Sequence, residues 1–288
     1  MNKPIEKSAF PCRIATIAVL LAGLLSFSSH SGAAPGPFEL RAAYQEQVDR
    51  RIDPPAEEVQ RYAGLALDAL TLAGVAITQP QYVAVVDRDP HVQAIFVYWL
   101  ADHQPPLLIG ASPVSTGRPG EFDHFETPLG VFDHSLANPD FRAEGTRNEL
   151  GIRGYGLKGM RVFDLGWQQA ERMWGPGGIS TMRLQMHATD PDRLEQRLGT
   201  AQSKGCIRIP ATLNRLLDQY GVLDAEYEEE AESTGRSVWM LLPDRTPVAD
   251  AGRYVIIVDS QRGTRPAWSP DPRVRPRSAS TRTSSGSD

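Results

Sequence analysis

From residue 81 onward the chain is built of short apolar runs separated by clusters of Pro, Gly, Asp and His: 82–86 (YVAVV), 94–99 (AIFVYW), 107–115 (LLIGASPVS) and 130–132 (GVF). Runs this short, rich in β-branched and aromatic residues and closed by turn formers, can pair as strands but cannot complete a helix with a buried stripe. The runs 181–186 (TMRLQM), 237–243 (SVWMLLP) and 254–258 (YVIIV) extend the pattern. Helical spacing is found ahead of the sheet, over Phe38–Ile52 and, after the break at Pro54-Pro55, over Ala56–Ala73, with Gly74 as the stop. Further on, a Gly-rich insertion runs from Gly145 to Gly178. A short helix is expected after it, with Asp190 as N-cap, Pro191 as first residue and Gly199 as stop. A second helix is expected over Ala211–Tyr220, and the acidic run Glu226–Glu232 reads as solvated. The expected class is mainly β with flanking helices.

The N-terminus reads as an address. Lys3, Lys7 and Arg13 precede a 12-residue apolar run, Ile14 to Leu25, and small residues around Ser31-Gly32-Ala33 offer a cleavage site. Because a membrane span needs about 20 apolar residues, the run predicts a removable secretory signal. The organisation is then signal peptide at 1–34, helical segment at 35–80, catalytic domain at 81–259 and a disordered basic tail at 260–288. The formal charge of −5 conceals +2 on residues 1–34 and +4 on the tail, leaving −11 on the body. A body so acidic excludes a nucleic-acid surface, whose affinity depends on neutralising phosphate.

Two cysteines exclude a disulfide scaffold and a four-thiolate zinc site. Cys12 departs with the signal, which leaves Cys206 as a lone thiol in an oxidising compartment. An inert buried cysteine and an intermolecular disulfide are the bland readings; a nucleophile is the sharp one. Its neighbours favour the last. If the segment is extended, Ile207 and Ile209 face the core while Lys204, Cys206 and Arg208 face away, so two cations flank the sulfur and the helix starting near Ala211 adds its positive end. His187 ends the polar face of its strand, after Arg183 and Gln185, and is the histidine nearest in sequence to Cys206 on its N-terminal side. The pair suits covalent acyl transfer, with imidazole as base. Gly154-Tyr155-Gly156-Leu157-Lys158-Gly159 forms a GxGxxG without the strand and helix of a nucleotide fold, and no metal-ligand spacing occurs, so neither cofactor nor metal is expected.

His187, fifteen intervening residues, then Ser203-Lys204-Gly205-Cys206-Ile207-Arg208 resembles the signature of the L,D-transpeptidase catalytic domain of YkuD type. Ser115-Thr116-Gly117, within Pro113 to Arg118, and Thr127-Pro128-Leu129-Gly130-Val131-Phe132 resemble that family's upstream strand motifs, and the likeness covers roughly residues 81–220. The resemblance implies a β-sandwich-like domain that cross-links or edits peptidoglycan in the periplasm or cell envelope. By that analogy Cys206 attacks the carbonyl before the terminal D-Ala of a stem tetrapeptide and His187 serves as base. Gly205 and Cys206 would supply oxyanion N–H groups, the Ala188 carbonyl would orient the His187 ring, and Ser203 would support the loop. Arg208, Lys204 and Thr127 would lie toward the substrate, with Arg208 equally suited to a structural ion pair. Lys204 stands where the family usually has His. The implied partners are peptidoglycan stem peptides or a wall-anchored protein acceptor, with no membrane span after signal removal. A hydrolase on the same scaffold (a carboxypeptidase or amidase) and an inactive wall-binding module are the alternatives.

Overall fold

The computed structural model describes Met1, residues 34–235 and residues 238–270. Residues 2–33 of the expected signal segment and residues 271–288 of the tail lie outside the described residues. In chain order come α1 (Pro37–Gln47), α2 (Ala56–Leu72), β1 (Gln81–Asp87), β2 (Ala94–Leu100), β3 (Leu107–Pro113), β4 (Gly130–Asp133), β5 (Phe141–Arg142), β6 (Arg161–Glu171) and β7 (Ile179–Ala188). They are followed by β8 (Ile207–Ile209), α3 (Ala211–Gln219), α4 (Ala225–Thr234) and β9 (Tyr254–Val258). Among the described residues the class is therefore mixed α/β, with two sheets and four α-helices. One sheet has the order β3-β2-β1-β9-β4 and the other β5-β6-β7-β8.

The continuous apolar runs of β1 and β2 are explained by burial on both faces. Val83 and Val85 of β1, with Phe96 and Tyr98 of β2, pack against Tyr62, Ala63, Ala66 and Leu70 of α2. The alternate residues Tyr82, Ala84, Val86, Ile95 and Val97 join a second apolar cluster. To that cluster the other sheet contributes Phe163, Leu165, Leu184, Met186, Ile207 and Ile209. Leu40 and Tyr44 of α1 and Leu213, Leu216 and Leu217 of α3 belong to it too. The helical segment is thus part of the sheets' own cores, and its apolar spacing is what places it there.

Five sequence expectations need correction. The insertion 145–178 holds β6, the 11-residue partner of β7. It was hidden because Gly166 breaks the alternation: that glycine has φ +80°, and the β6–β7 register shifts between Asp164 and Trp167. No α-helix follows Asp190; residues 191–194 turn and Glu195–Arg197 make one 3₁₀ turn, because the Asp190 carboxylate accepts the Asp192 N–H two residues on and closes a local turn instead. The segment 238–243 contains turns rather than a strand, and the acidic run is inside α4, where Tyr227 is buried and Glu228 pairs with Arg245. The tail is not disordered from its start: Trp268 sets its ring edge-on to Tyr62 and Phe96, and Ser269 is buried. That single tryptophan supplies the apolar surface that the tail's composition otherwise lacks.

A buried charge cluster underlies β4 and β6. The Arg161 guanidinium, fully buried, donates to Asp140 and to Asp224 (2.6 Å) and lies over the rings of Phe163 and Tyr227. His134 stacks on Tyr227 and bonds Asp140. Burial alone would discharge this imidazole, but the Asp140 carboxylate outweighs it and raises the His134 pKa. Asp140 also accepts the Asp164 N–H (2.8 Å), which ties the cluster to the bulge of β6.

Candidate active site

β8 pairs in parallel with the end of β7, with Met186 beside Ile207, His187 beside Arg208 and Ala188 beside Ile209. Partners in a parallel ladder point the same way, so His187 and Arg208 share a face. Cys206 lies one residue before β8, and its thiol meets the β7 backbone at the Arg183 carbonyl. Arg183 and Gln185 continue that polar face along β7.

The turn carrying Cys206 is held by the two upstream motifs. Residues 115–118 run along it, exchanging backbone bonds between Ser115 and Arg208, from Gln202 and Ser203 to the Thr116 carbonyl, and from Arg118 to the Ser203 carbonyl. Thr127 bridges them: its hydroxyl accepts the Gly117 N–H (2.9 Å) and donates to the Gly205 carbonyl (2.7 Å). Gly117 admits no side chain, since a Cβ there would stand 2.0 Å from the Phe125 carbonyl oxygen. Gly205 has φ +126°, and a Cβ would press on Met182. The Ser203 hydroxyl donates to the Cys206 carbonyl and accepts the Gly205 N–H (3.0 Å).

This geometry corrects three expected roles. Thr127 is 1% exposed and has spent its hydroxyl, so it positions the turn and is unavailable to a substrate. The Gly205 N–H is consumed by Ser203 and cannot serve an oxyanion, which leaves the Cys206 N–H as the candidate donor of this turn. Lys204 points to the surface and pairs with Asp123 (2.7 Å). Replacing Thr127 with Val keeps the shape but strands a buried donor and acceptor, and is expected to cost about 1–3 kcal/mol in denaturant unfolding, with Thr127→Ser largely restoring it. A change within about 0.5 kcal/mol would refute the bridge.

The electrostatics of the sulfur also differ from expectation. Cys206 is half-buried, and its thiol donates to the Arg183 carbonyl (3.7 Å). Burial raises its pKa above the ordinary 9.0, against the pull of the Gln185 N–H and the Arg208 guanidinium. The second cation is spent on Asp123, and the start of α3 is capped by Glu195, whose carboxylate takes the Ala211 N–H (2.6 Å). His187 is 4% exposed, and burial lowers its pKa to about 4. Because the Ala188 carbonyl can only accept, the 2.8 Å bond to Nδ1 fixes the proton there and leaves Nε2 as a lone pair. Nε2 has no hydrogen-bond partner among the described residues. The resting pair is therefore neutral thiol and neutral imidazole, since burial raises the thiol pKa and lowers the imidazole pKa, and both shifts oppose a preformed ion pair. Alkylation of Cys206 by iodoacetamide should accordingly accelerate with pH up to and beyond 9.0. A plateau reached at about pH 7 would show a preformed thiolate instead.

Four residues complete the face, and sequence reasoning missed them as site residues. Asp164, buried at the bulge, receives Arg183 Nε at both oxygens (2.9 Å) and Gln185 Nε2 (3.0 Å). The Gln185 amide is thereby oriented, and its Oε1 accepts the Tyr155 hydroxyl (3.2 Å). The Tyr155 ring stands edge-on to His187, centroids 4.7 Å apart. Burial, and then the charges of Cys206 and Asp164, raise its pKa. The glycine-rich segment that suggested a nucleotide loop instead delivers this tyrosine, and Asp190 anchors it by accepting the Arg153 N–H (2.8 Å). Arg208 donates to the Gln202 carbonyl (3.1 Å) and makes no ion pair among the described residues. Burial lowers its pKa.

No protein-family model and no curated protein sequence matches the chain. Among solved structures the chain is similar to a mutant of the helical cell shape determining protein Pgp2 from Campylobacter jejuni, with 9% sequence identity and a TM-score of 0.26. The match covers 79% of this chain and 56% of that one, so the chain spans little more than half the length of that neighbour.

Proposed function

We propose that the protein is an exported cysteine acyltransferase of the L,D-transpeptidase type, acting on peptidoglycan stem peptides in the periplasm or cell envelope. The observation that carries the reading is that Cys206 enters β8 beside the end of β7, where His187 keeps its proton on Nδ1 and leaves Nε2 without a partner among the described residues. In the proposed reaction the thiol proton passes to His187 Nε2 as the sulfur attacks the carbonyl before the terminal D-Ala. The C–N bond breaks, the departing amine takes the proton from the imidazolium, and a thioester remains. An acceptor amine then attacks the thioester, giving up its proton through His187 to the leaving sulfur. Because burial opposes both the thiolate and the imidazolium, the proposed proton transfer accompanies attack. The Cys206 N–H is the proposed oxyanion donor. Arg208, whose charge has no carboxylate partner among the described residues, is suited to the substrate's terminal carboxylate. The sandwich-like domain implied by the resemblance is supported by the apolar cluster to which both sheets contribute.

The test is mass spectrometry of purified disaccharide-tetrapeptide incubated with protein lacking residues 1–34. A dimer short of one D-Ala establishes transpeptidation. A monomer short of D-Ala establishes the hydrolase instead, and unchanged substrate refutes both.

A further inference from the structure

Gln93 closes the connection between β1 and β2, and it is fully buried with a left-handed backbone, φ +50°. Glycine makes such a turn without strain, whereas a glutamine at positive φ is costly to hold. What glycine lacks is the side chain, and here both polar atoms of the amide are engaged. Its Oε1 accepts the Thr116 N–H (2.8 Å), while Nε2 donates to the Thr116 hydroxyl (2.7 Å) and to the Arg88 carbonyl (2.6 Å). A backbone N–H only donates and a carbonyl only accepts, so these partners fix which way the amide points. Both partners lead to Cys206. The Thr116 carbonyl accepts the N–H groups of Gln202 (3.0 Å) and Ser203 (2.9 Å), and the Ser203 hydroxyl holds the Cys206 carbonyl. The Arg88 guanidinium donates to the Thr127 carbonyl (2.7 Å), and the Thr127 hydroxyl holds the Gly205 carbonyl. One amide therefore stands at the origin of both arms that grip residues 203–206.

We infer that Gln93 is a positioning residue for the chemistry at Cys206, setting the spacing of the two arms and, through them, the place of the sulfur and of the Cys206 N–H. The strained backbone at residue 93 is held because the junction needs an amide there rather than a bare turn. Its effect on rate rests on the proposed function; its grip on the turn is a property of the fold alone. Gln93 is fully buried and acts through backbone groups of the turn. Its loss therefore falls on bond formation at the sulfur, where a displacement of about 1 Å lowers the rate on the order of 10²-fold, more than on tetrapeptide binding.

Two variants test it: Gln93→Gly keeps the turn and relieves the strain, Gln93→Met keeps the length, and both remove the amide. With saturating stem tetrapeptide, thioester formation at Cys206, followed by mass spectrometry of the acid-quenched protein, is expected to slow about 30-fold in both. The tetrapeptide concentration that gives half the maximal rate should change by less than about threefold. Alkylation of Cys206 by iodoacetamide at one fixed pH reports on the turn without turnover, and it should accelerate at least about fivefold as the grip on the half-buried thiol loosens. Tyr98→Phe is the control for a purely structural loss: it removes the hydroxyl that β2 gives to the Val59 carbonyl of α2 (2.7 Å). It should leave both rates within about twofold. Circular dichroism checks folding, and either Gln93 variant that folds decides the matter. Rates within about twofold of the unsubstituted protein, as in Tyr98→Phe, would overturn the inference, as would an effect confined to the half-saturating concentration. Faster alkylation of the Gln93 variants, in a protein whose unsubstituted form makes no thioester, would uphold the grip while the acyltransfer reading fell.

Discussion

Cys206→Ala protein is expected to release D-Ala from stem tetrapeptide at least about 10⁴-fold more slowly than the unsubstituted protein, while keeping its unfolding midpoint. The size of the effect follows from covalent catalysis: without sulfur no thioester forms, and the remaining groups can only position water. The fold should tolerate the change, because the thiol's bond to the Arg183 carbonyl is a long 3.7 Å contact. Removing the imidazole is expected to be about as damaging, since the thiol pKa is raised and the site holds little thiolate of its own. The proton would then have no acceptor at the moment of attack. The activity of the unsubstituted protein should retain its base down to about pH 4, where His187 protonates, and be lost below it. An acid limb centred near the ordinary histidine value of about 6.5 would contradict the buried, neutral ring.

Arg161→Met is expected to be the most destabilising single substitution outside the site, lowering the unfolding free energy by about 3–5 kcal/mol. Against a total of about 5–15 kcal/mol for a domain, that is enough to impair folding at growth temperature. Removing the guanidinium leaves two buried carboxylates, Asp140 and Asp224, with His134 as the remaining cationic partner in the cluster. The double variant Arg161→Met with Asp224→Asn should recover part of the loss by deleting one stranded charge. Urea unfolding of the three proteins measures it, and an Arg161→Met change within about 1 kcal/mol would contradict the cluster's role. The loss should reach the active face as well, because Asp140 holds the N–H of Asp164, whose carboxylate holds Arg183 and Gln185.

Local pattern made β1, β2 and β9 legible, because each is a strand of five to seven residues whose apolar runs and turn formers coincide with its ends. α1 and α2 were legible from helical spacing and from the prolines that begin or separate them. β6 was not, since its first residue is a buried arginine and its middle a glycine in a bulge; both make sense only once Asp140, Asp224 and β7 are in place. Cys206 and His187 could be chosen from residue type, order and neighbours, and the pairing of β7 with β8 brings their segments together. Their protonation could not be chosen in the same way. Two flanking cations in sequence suggested a thiolate, but Lys204 turns to Asp123 and Glu195 takes the helix start, both at long sequence separation. Tyr155 and Asp164 were illegible for a similar reason: a glycine-rich loop and a bulge carry no periodic signal, and their positions are set by hydrogen bonds to β7.

The central claim is a covalent acyl bond on Cys206, and intact-protein mass spectrometry after brief mixing with stem tetrapeptide, quenched in acid, tests it most directly. The account predicts a protein heavier by the tetrapeptide less one D-Ala, with the added mass mapped to the peptide containing Cys206 and lost on treatment with hydroxylamine. An unmodified protein alongside released D-Ala, or an adduct at any other residue, would contradict it.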